Sequence, residues 1–192
     1  MESAAACPDD RVVAGRREDG DRLVDRLAGV FVPGDPLLGR GGGAEIPSAM
    51  TLSTSNVFTL RMVETSAGSS QFEWRLAKRS MTDLSLVASA TSAALSGDAT
   101  KGGLAKVGAT IYVTAMDGAG GWGSDTRWRV EKRSAIDLTL DAAFGTGGGV
   151  LSDPSAGEDV SRQVGVAGGV VYVVGFDEVA GPQQWRIEAR FE

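Results

Sequence analysis

Histidine is absent from this chain. That removes Ser-His-Asp and Cys-His catalysis, histidine metal sites and histidine pH switching together. Cysteine occurs once, as Cys7, so no internal disulfide is available. No stretch approaches the roughly 18 apolar residues that would cross a bilayer. Basic residues are outnumbered, 19 Lys and Arg against 25 Asp and Glu, for a net charge of −6. A nucleic-acid surface needs the opposite balance, because phosphates are bound by excess Lys and Arg that release counterions. The start, "MESAAACPDDRVV", has neither a basic nor an apolar signal region, so the chain reads as cytoplasmic as written. "SAAAC" resembles the tail of a lipoprotein cleavage site. A true start upstream would make the protein secreted or lipid-anchored.

Glycine and hydrophobic residues are plentiful. Of 192 residues 27 are glycine and 42% are hydrophobic, enough for one domain with a packed core. Glycine travels with Val, Thr and Ser, which favours strands joined by tight turns over helices.

Residues 1–48 are dense in charge, glycine and proline ("GRREDGDRLVDRLAG", "VPGDPLLGRGGGAEIPS") and read as an irregular segment. A short helix over Asp21 to Leu27 would be stopped by the Gly and Pro that follow. "VVAGRREDGDRLVDRLAG" also aligns with "WRVEKRSAIDLTLDAAFG", as a decayed copy of the text downstream.

The downstream text repeats. "WRLAKRSMTDLSL" at Trp74 returns as "WRVEKRSAIDLTL" at Trp128, and "WRIEAR" begins at Trp185. Each tryptophan segment follows an apolar strand: "VFTLRMVE", "TIYVTAMD" or "VVYVVGFD". A fixed period of this kind is the signature of a repeat architecture. "GVLSD" and "RQVGVAG" read as two further short strands, and "AGG" before "VVYVV" as a hairpin turn. Four strands of about five residues fill each unit, which predicts an all-β fold of four-stranded antiparallel propeller-type blades. The units run over about 57–108, 110–168 and 170–192 within a repeat region of 49–192, two and a half units in all. Strand alternation puts Trp128, Val130 and Lys132 on one face and Arg129, Glu131 and Arg133 on the other. The charged row, like Arg186/Glu188/Arg190, suits an outer strand whose heads reach water.

The strand "YVVGFD", the "WRIEKR"-type segment, "FGTGGGV" and "DPSAGEDV" together resemble the units of bacterial and archaeal β-propeller repeat proteins of the kelch-like, delta-60 or SBBP-like kind. The resemblance covers about 140 residues and is closest over Ile111 to Gly168. The first unit lacks "FGTGG", and the third stops after two strands. The resemblance implies a fold and attaches no site residues. Since propellers close with roughly four to eight blades, it also implies that the partners are other blades or copies of the chain, or that the chain is a fragment of a larger propeller.

No cofactor signature survives. Gly118, Gly120 and Gly123 spell G-x-G-x-x-G, but a dinucleotide site needs a helix next, and "SDTRWRVEKRS" reads as a strand. "SGDATKGG" lacks phosphate-loop spacing. Asp153, Glu158 and Asp159 cluster without the spacing of a calcium loop and read as turn acids. The binding candidates are loop residues: Asp117, Trp122 and Asp125 between Asp117 and Thr126, and Asp177 beside the loop Glu178 to Gln183. Trp122 falls in a glycine loop and reads as tucked onto its own blade, the alternative being a stacking surface for a sugar or peptide. The expectation is a non-enzymatic scaffold or binding module of unidentified ligand, with no catalytic or metal residue. The alternative is a carbohydrate-active hydrolase or lyase using a pair of carboxylates.

Overall fold

The computed structural model describes residues 45–65, 72–91, 102–118, 125–179 and 182–191. The expected helix at Asp21 to Leu27, the decayed copy at Val12, Cys7, Trp122 and most of "SGDATKGG" lie outside them.

The described residues form eleven strands and no helix, so no helix is long and apolar enough to cross a membrane. They fall into three antiparallel sheets taken in chain order. The first is β1 (Glu45–Leu52), β2 (Asn56–Glu64), β3 (Phe72–Ser80) and β4 (Leu86–Thr91). The second is β5 (Gly102–Val107), β6 (Thr110–Gly118), β7 (Thr126–Ser134) and β8 (Gly149–Ser152). The third holds β9 (Val160–Ala167), β10 (Val170–Asp177) and β11 (Gln184–Phe191). In all three each strand pairs with its neighbour in sequence, and the tryptophans hold one register: Met62 opposite Trp74, Met116 opposite Trp128, Phe176 opposite Trp185.

The hydrogen-bonded sheets are offset by one strand from the sequence units. A unit beginning at Val57 takes β5 as its last strand, whereas β5 pairs with β6 and opens the second sheet. A periodic sequence sets the period and leaves the phase free. β1 also extends back to Glu45, into the segment read as irregular. Its Pro47 sits at a register shift between Pro47 and Ala49, where an edge strand tolerates a missing donor.

The turn after the tryptophan strand is built twice. Leu84 and Leu138 have φ of 59° and 67°, and their N–H groups bond to the Ser80 and Ser134 carbonyls at 2.9 Å. Asp83 Oδ1 accepts from the Ser85 N–H and hydroxyl (3.1 and 2.8 Å), and Asp137 Oδ1 does the same with Thr139 (3.1 and 2.8 Å). Thus "RSMTDLS" and "RSAIDLT" are a strand end and its turn. The expected "AGG" hairpin is present: Gly168 and Gly169 connect β9 to β10 with φ of 59° and 75°, which only glycine adopts without strain.

The sheets stack face to face, with β1, β5 and β9 neighbouring one another along one side. Each sheet therefore has a leading face toward the preceding sheet and a trailing face toward the next. Phe58, Leu60, Trp74 and Leu76 on the first trailing face bury against Leu104, Ile111, Val113, Ala135 and Leu138 of the second sheet. Tyr112, Trp128, Val130 and Phe144 bury likewise against Val164, Val171 and Val173 of the third. At roughly 25 cal/mol per Å² of apolar surface, these two layers supply the main stabilisation of the stack. The described sheets do not close on one another into a ring.

Candidate functional site

Two features of this stack carry the chemistry-bearing side chains: the junctions between sheets and the loops at one end.

The charged row of β7 lies in a junction. Glu131 is 0% exposed, and its two oxygens accept from Arg129 Nε at 2.7 Å and Arg133 Nε at 2.8 Å. Arg133 is itself buried. It donates to the Leu138 carbonyl (2.7 Å) and, across the junction, to the Thr91 carbonyl (3.2 Å), and its guanidinium lies 5.2 Å from the centre of the Trp74 ring. This overturns the expectation that the row's heads reach water. β7 is the third strand of four, and its charged side is the leading face, covered by the first sheet. The row survives burial because two guanidiniums flank one carboxylate and every group has a partner. On β11, Arg186 and Arg190 flank Glu188 at 2.9 and 2.7 Å, and Glu188 also accepts from the Ser152 hydroxyl of β8 at 2.7 Å. Burial pushes the Glu188 carboxyl up, but these hydrogen bonds outweigh it and hold the group below its ordinary range.

The apolar side of the same strands points the other way. Trp128 donates its indole N–H to the Phe176 carbonyl of the third sheet (3.3 Å), and Lys78 reaches the Ala135 and Ile136 carbonyls of the second (3.0 and 2.8 Å). A Cβ on Gly175 would run into the Val160 carbonyl and crowd the Trp128 ring, so glycine is what lets β10 come up to that indole.

The loop candidates share one end of the stack, where β6 and β10 finish and β7 and β9 begin. Asp117 is buried at the end of β6, with Oδ2 3.7 Å from Arg127 Nη2 and 3.9 Å from Arg129 Nη1. Asp177 is buried at the equivalent end of β10; Oδ1 accepts from the Val179 N–H and Oδ2 from Arg186, each at 3.2 Å. Asp125 is exposed just before β7. Strand parity places both Asp117 and Asp177 on leading faces, so they occupy successive junctions with the second sheet between them. A carboxylate pair that cleaves a glycosidic bond must flank one open cleft; each of these two instead faces a guanidinium of its own sheet. β7, a strand, follows the G-x-G-x-x-G segment, so the helix that a dinucleotide site requires is not there.

Residues outside the binding candidates also build this end. Thr126, buried at the start of β7, donates to the Asp159 carbonyl at 2.9 Å and accepts from the Asp159 N–H at 2.7 Å. The Asp159 carboxylate accepts from the Ser155 N–H (3.0 Å) and hydroxyl (2.7 Å), and Glu178 accepts from the Glu158 N–H at 3.3 Å. Burial, with nearby Asp177 and Asp153, raises the Asp159 carboxyl above its ordinary range. The Asp159 carboxylate thus supports its loop, and among the described residues no group of three or more His, Cys, Asp or Glu is placed to hold a metal ion. Thr126 carried no sequence signal; the Ser155/Asp159 pair had one, a Ser four residues before an Asp in a Pro/Gly loop.

Compared with models of protein families, with curated proteins and with solved structures, the chain matches none.

Proposed function

We propose that the chain is a non-enzymatic scaffold or binding module made of propeller-type blades, a part of a larger β-propeller. The observation that carries this reading is where the recurring residues go. Trp74, Trp128, Arg133 and Glu188 are all engaged in joining one sheet to the next, and Glu131 holds Arg133 in place from the same strand. The up-and-down strand order and the stacking in chain order support the propeller assignment and the resemblance to kelch-like, delta-60 or SBBP-like units. The surface left for a ligand is the loop end around Asp125 and Glu178 to Gln183, where function-bearing loops of a rigid scaffold belong.

The carbohydrate-active alternative finds no support in the placement of Asp117 and Asp177, each facing a guanidinium in its own junction. The experiment that tests the scaffold reading is a turnover assay of the purified chain on a panel of neutral and uronic-acid polysaccharides, read as new reducing ends and unsaturated products. The expected result is the buffer rate. Turnover that disappears in Asp117→Asn or Asp177→Asn, with the fold intact, would overturn it.

A further inference from the structure

The third sheet leaves uncovered the face that its two predecessors bury. Trp74 and Trp128 are each 1% exposed, whereas Trp185, in the same register, is 83% exposed and Ile187 is 71% exposed. Phe191, at the end of the strand, and Tyr172 of β10 extend the open surface. A contiguous apolar face of this kind on a soluble domain marks a contact surface. Among the described strands β11 is also the outer one of its sheet, so one row of its backbone donors and acceptors has no neighbouring described strand.

The stack itself shows what such a face receives. Both covered trailing faces meet the leading face of another sheet: an aliphatic strip from its second strand, Ile111 and Val113 or Val171 and Val173, beside an Arg-Glu-Arg row from its third. Where the contact is drawn in full, an arginine of that row lies over the tryptophan. The first sheet's own leading face does not qualify as the occupant. Val57, Thr59, Val63, Ala77 and Arg79 on it are already buried within the chain, so head-to-tail pairing of two copies has no free face to use.

We propose that the trailing face of the third sheet docks a further blade of the same kind, supplied by another polypeptide segment and presenting an aliphatic strip with an Arg-Glu-Arg row. The proposal rests on the propeller-type reading of the sheets and names the partner of one face. A segment leading into that blade would pair with β11 as the fourth strand, as β8 pairs with β7.

The test extends the full chain at its C-terminus with a copy of residues 135–191, which holds a β8 equivalent followed by a complete third-sheet equivalent. Trp185→Phe is made in the copy only. Acrylamide quenching of the original Trp185 is read as the difference between each chain and its variant carrying Trp185→Phe at the original position. In the unextended chain Trp185 should quench freely and light scattering should give a monomer. In the extended chain Trp185 quenching should fall to that of a buried indole, and Arg186→Glu with Arg190→Glu in the copy should restore it. Trp185 left fully quenchable in the extended chain overturns the proposal. So does an unextended chain that shields Trp185 by dimerising, which makes a second copy the occupant. An extended chain that aggregates or loses its strand signal also counts against it, because a fitting blade adds stability. None of these readouts bears on turnover, so the scaffold reading and the docking face fail separately.

Discussion

The Arg133 guanidinium of the second sheet lies 5.2 Å from the centre of the Trp74 ring of the first, while its Nε and Nη2 hold Glu131 at 2.8 and 2.7 Å. One side chain thus joins two sheets and neutralises a fully buried carboxylate. Arg133→Met should cost about 3–5 kcal/mol, the scale for breaking a buried pair, because it leaves Glu131 with Arg129 alone and removes the bonds to the Leu138 and Thr91 carbonyls. Arg190 holds the same place in the third sheet, but its side chain is part exposed. Arg190→Met should therefore cost about 1 kcal/mol or less. Urea unfolding of the two variants decides the matter, and equal losses would refute the junction role assigned to Arg133.

The indole N–H groups of the two buried tryptophans differ in their partners. Trp128 Nε1 donates to the Phe176 carbonyl at 3.3 Å, whereas the Trp74 Nε1 is buried without an acceptor. Replacement by phenylalanine removes similar volume from each. At Trp128 it also removes the bond to the Phe176 carbonyl, and at Trp74 it removes an unsatisfied donor. Trp128→Phe should cost about 1–2 kcal/mol more than Trp74→Phe. Thermal melts that rank them the other way would contradict the bond.

How far the sequence showed this depends on which physical quantity each residue pattern encodes. Alternation told correctly that Arg129, Glu131 and Arg133 share a side, because strand parity is local. It is silent on whether another sheet covers that side, because charge alone does not fix exposure. The clue was compositional: a carboxylate between two arginines is a self-neutralising row that tolerates burial. β1 was missed because Pro47 and the glycine-rich text before Glu45 both read as loop. The offset between units and sheets was beyond reach, since β5 resembles the end of one unit as well as the start of the next. The parity that puts Asp117 and Asp177 on leading faces is countable from Trp128 and Trp185.

Leu138 combines a left-handed backbone with a buried side chain, whereas Leu84 has the same backbone with a half-buried one. Glycine at either position relieves about 1 kcal/mol of backbone strain. At Leu138 it also removes a side chain packed between the first and second sheets, at about 2–5 kcal/mol. Leu84→Gly should be close to neutral, and Leu138→Gly should destabilise by about 1–4 kcal/mol after the relief is subtracted. Chemical denaturation separates them; equal effects would mean that the Leu138 side chain contributes nothing to the junction.

Glu188 makes the junction between the second and third sheets sensitive to acid. Burial raises its carboxyl, the bonds from Ser152, Arg190 and Arg186 lower it more, and the net position is below the ordinary 4.5. A carboxyl depressed in the folded chain contributes stability that is complete above its unfolded value and is lost as pH falls through the folded one. Acidification from about pH 6 to about pH 3 should therefore weaken the native chain more than Glu188→Gln, and the two should converge at the acid end. Asp159 works in the opposite sense, because its carboxyl is raised by burial and takes up a proton more readily when folded. The comparison with Glu188→Gln cancels that contribution, since Asp159 is present in both. Parallel melting-temperature curves for the two chains across this range would show that the Ser152, Arg186 and Arg190 contacts to Glu188 do not hold the third sheet in place.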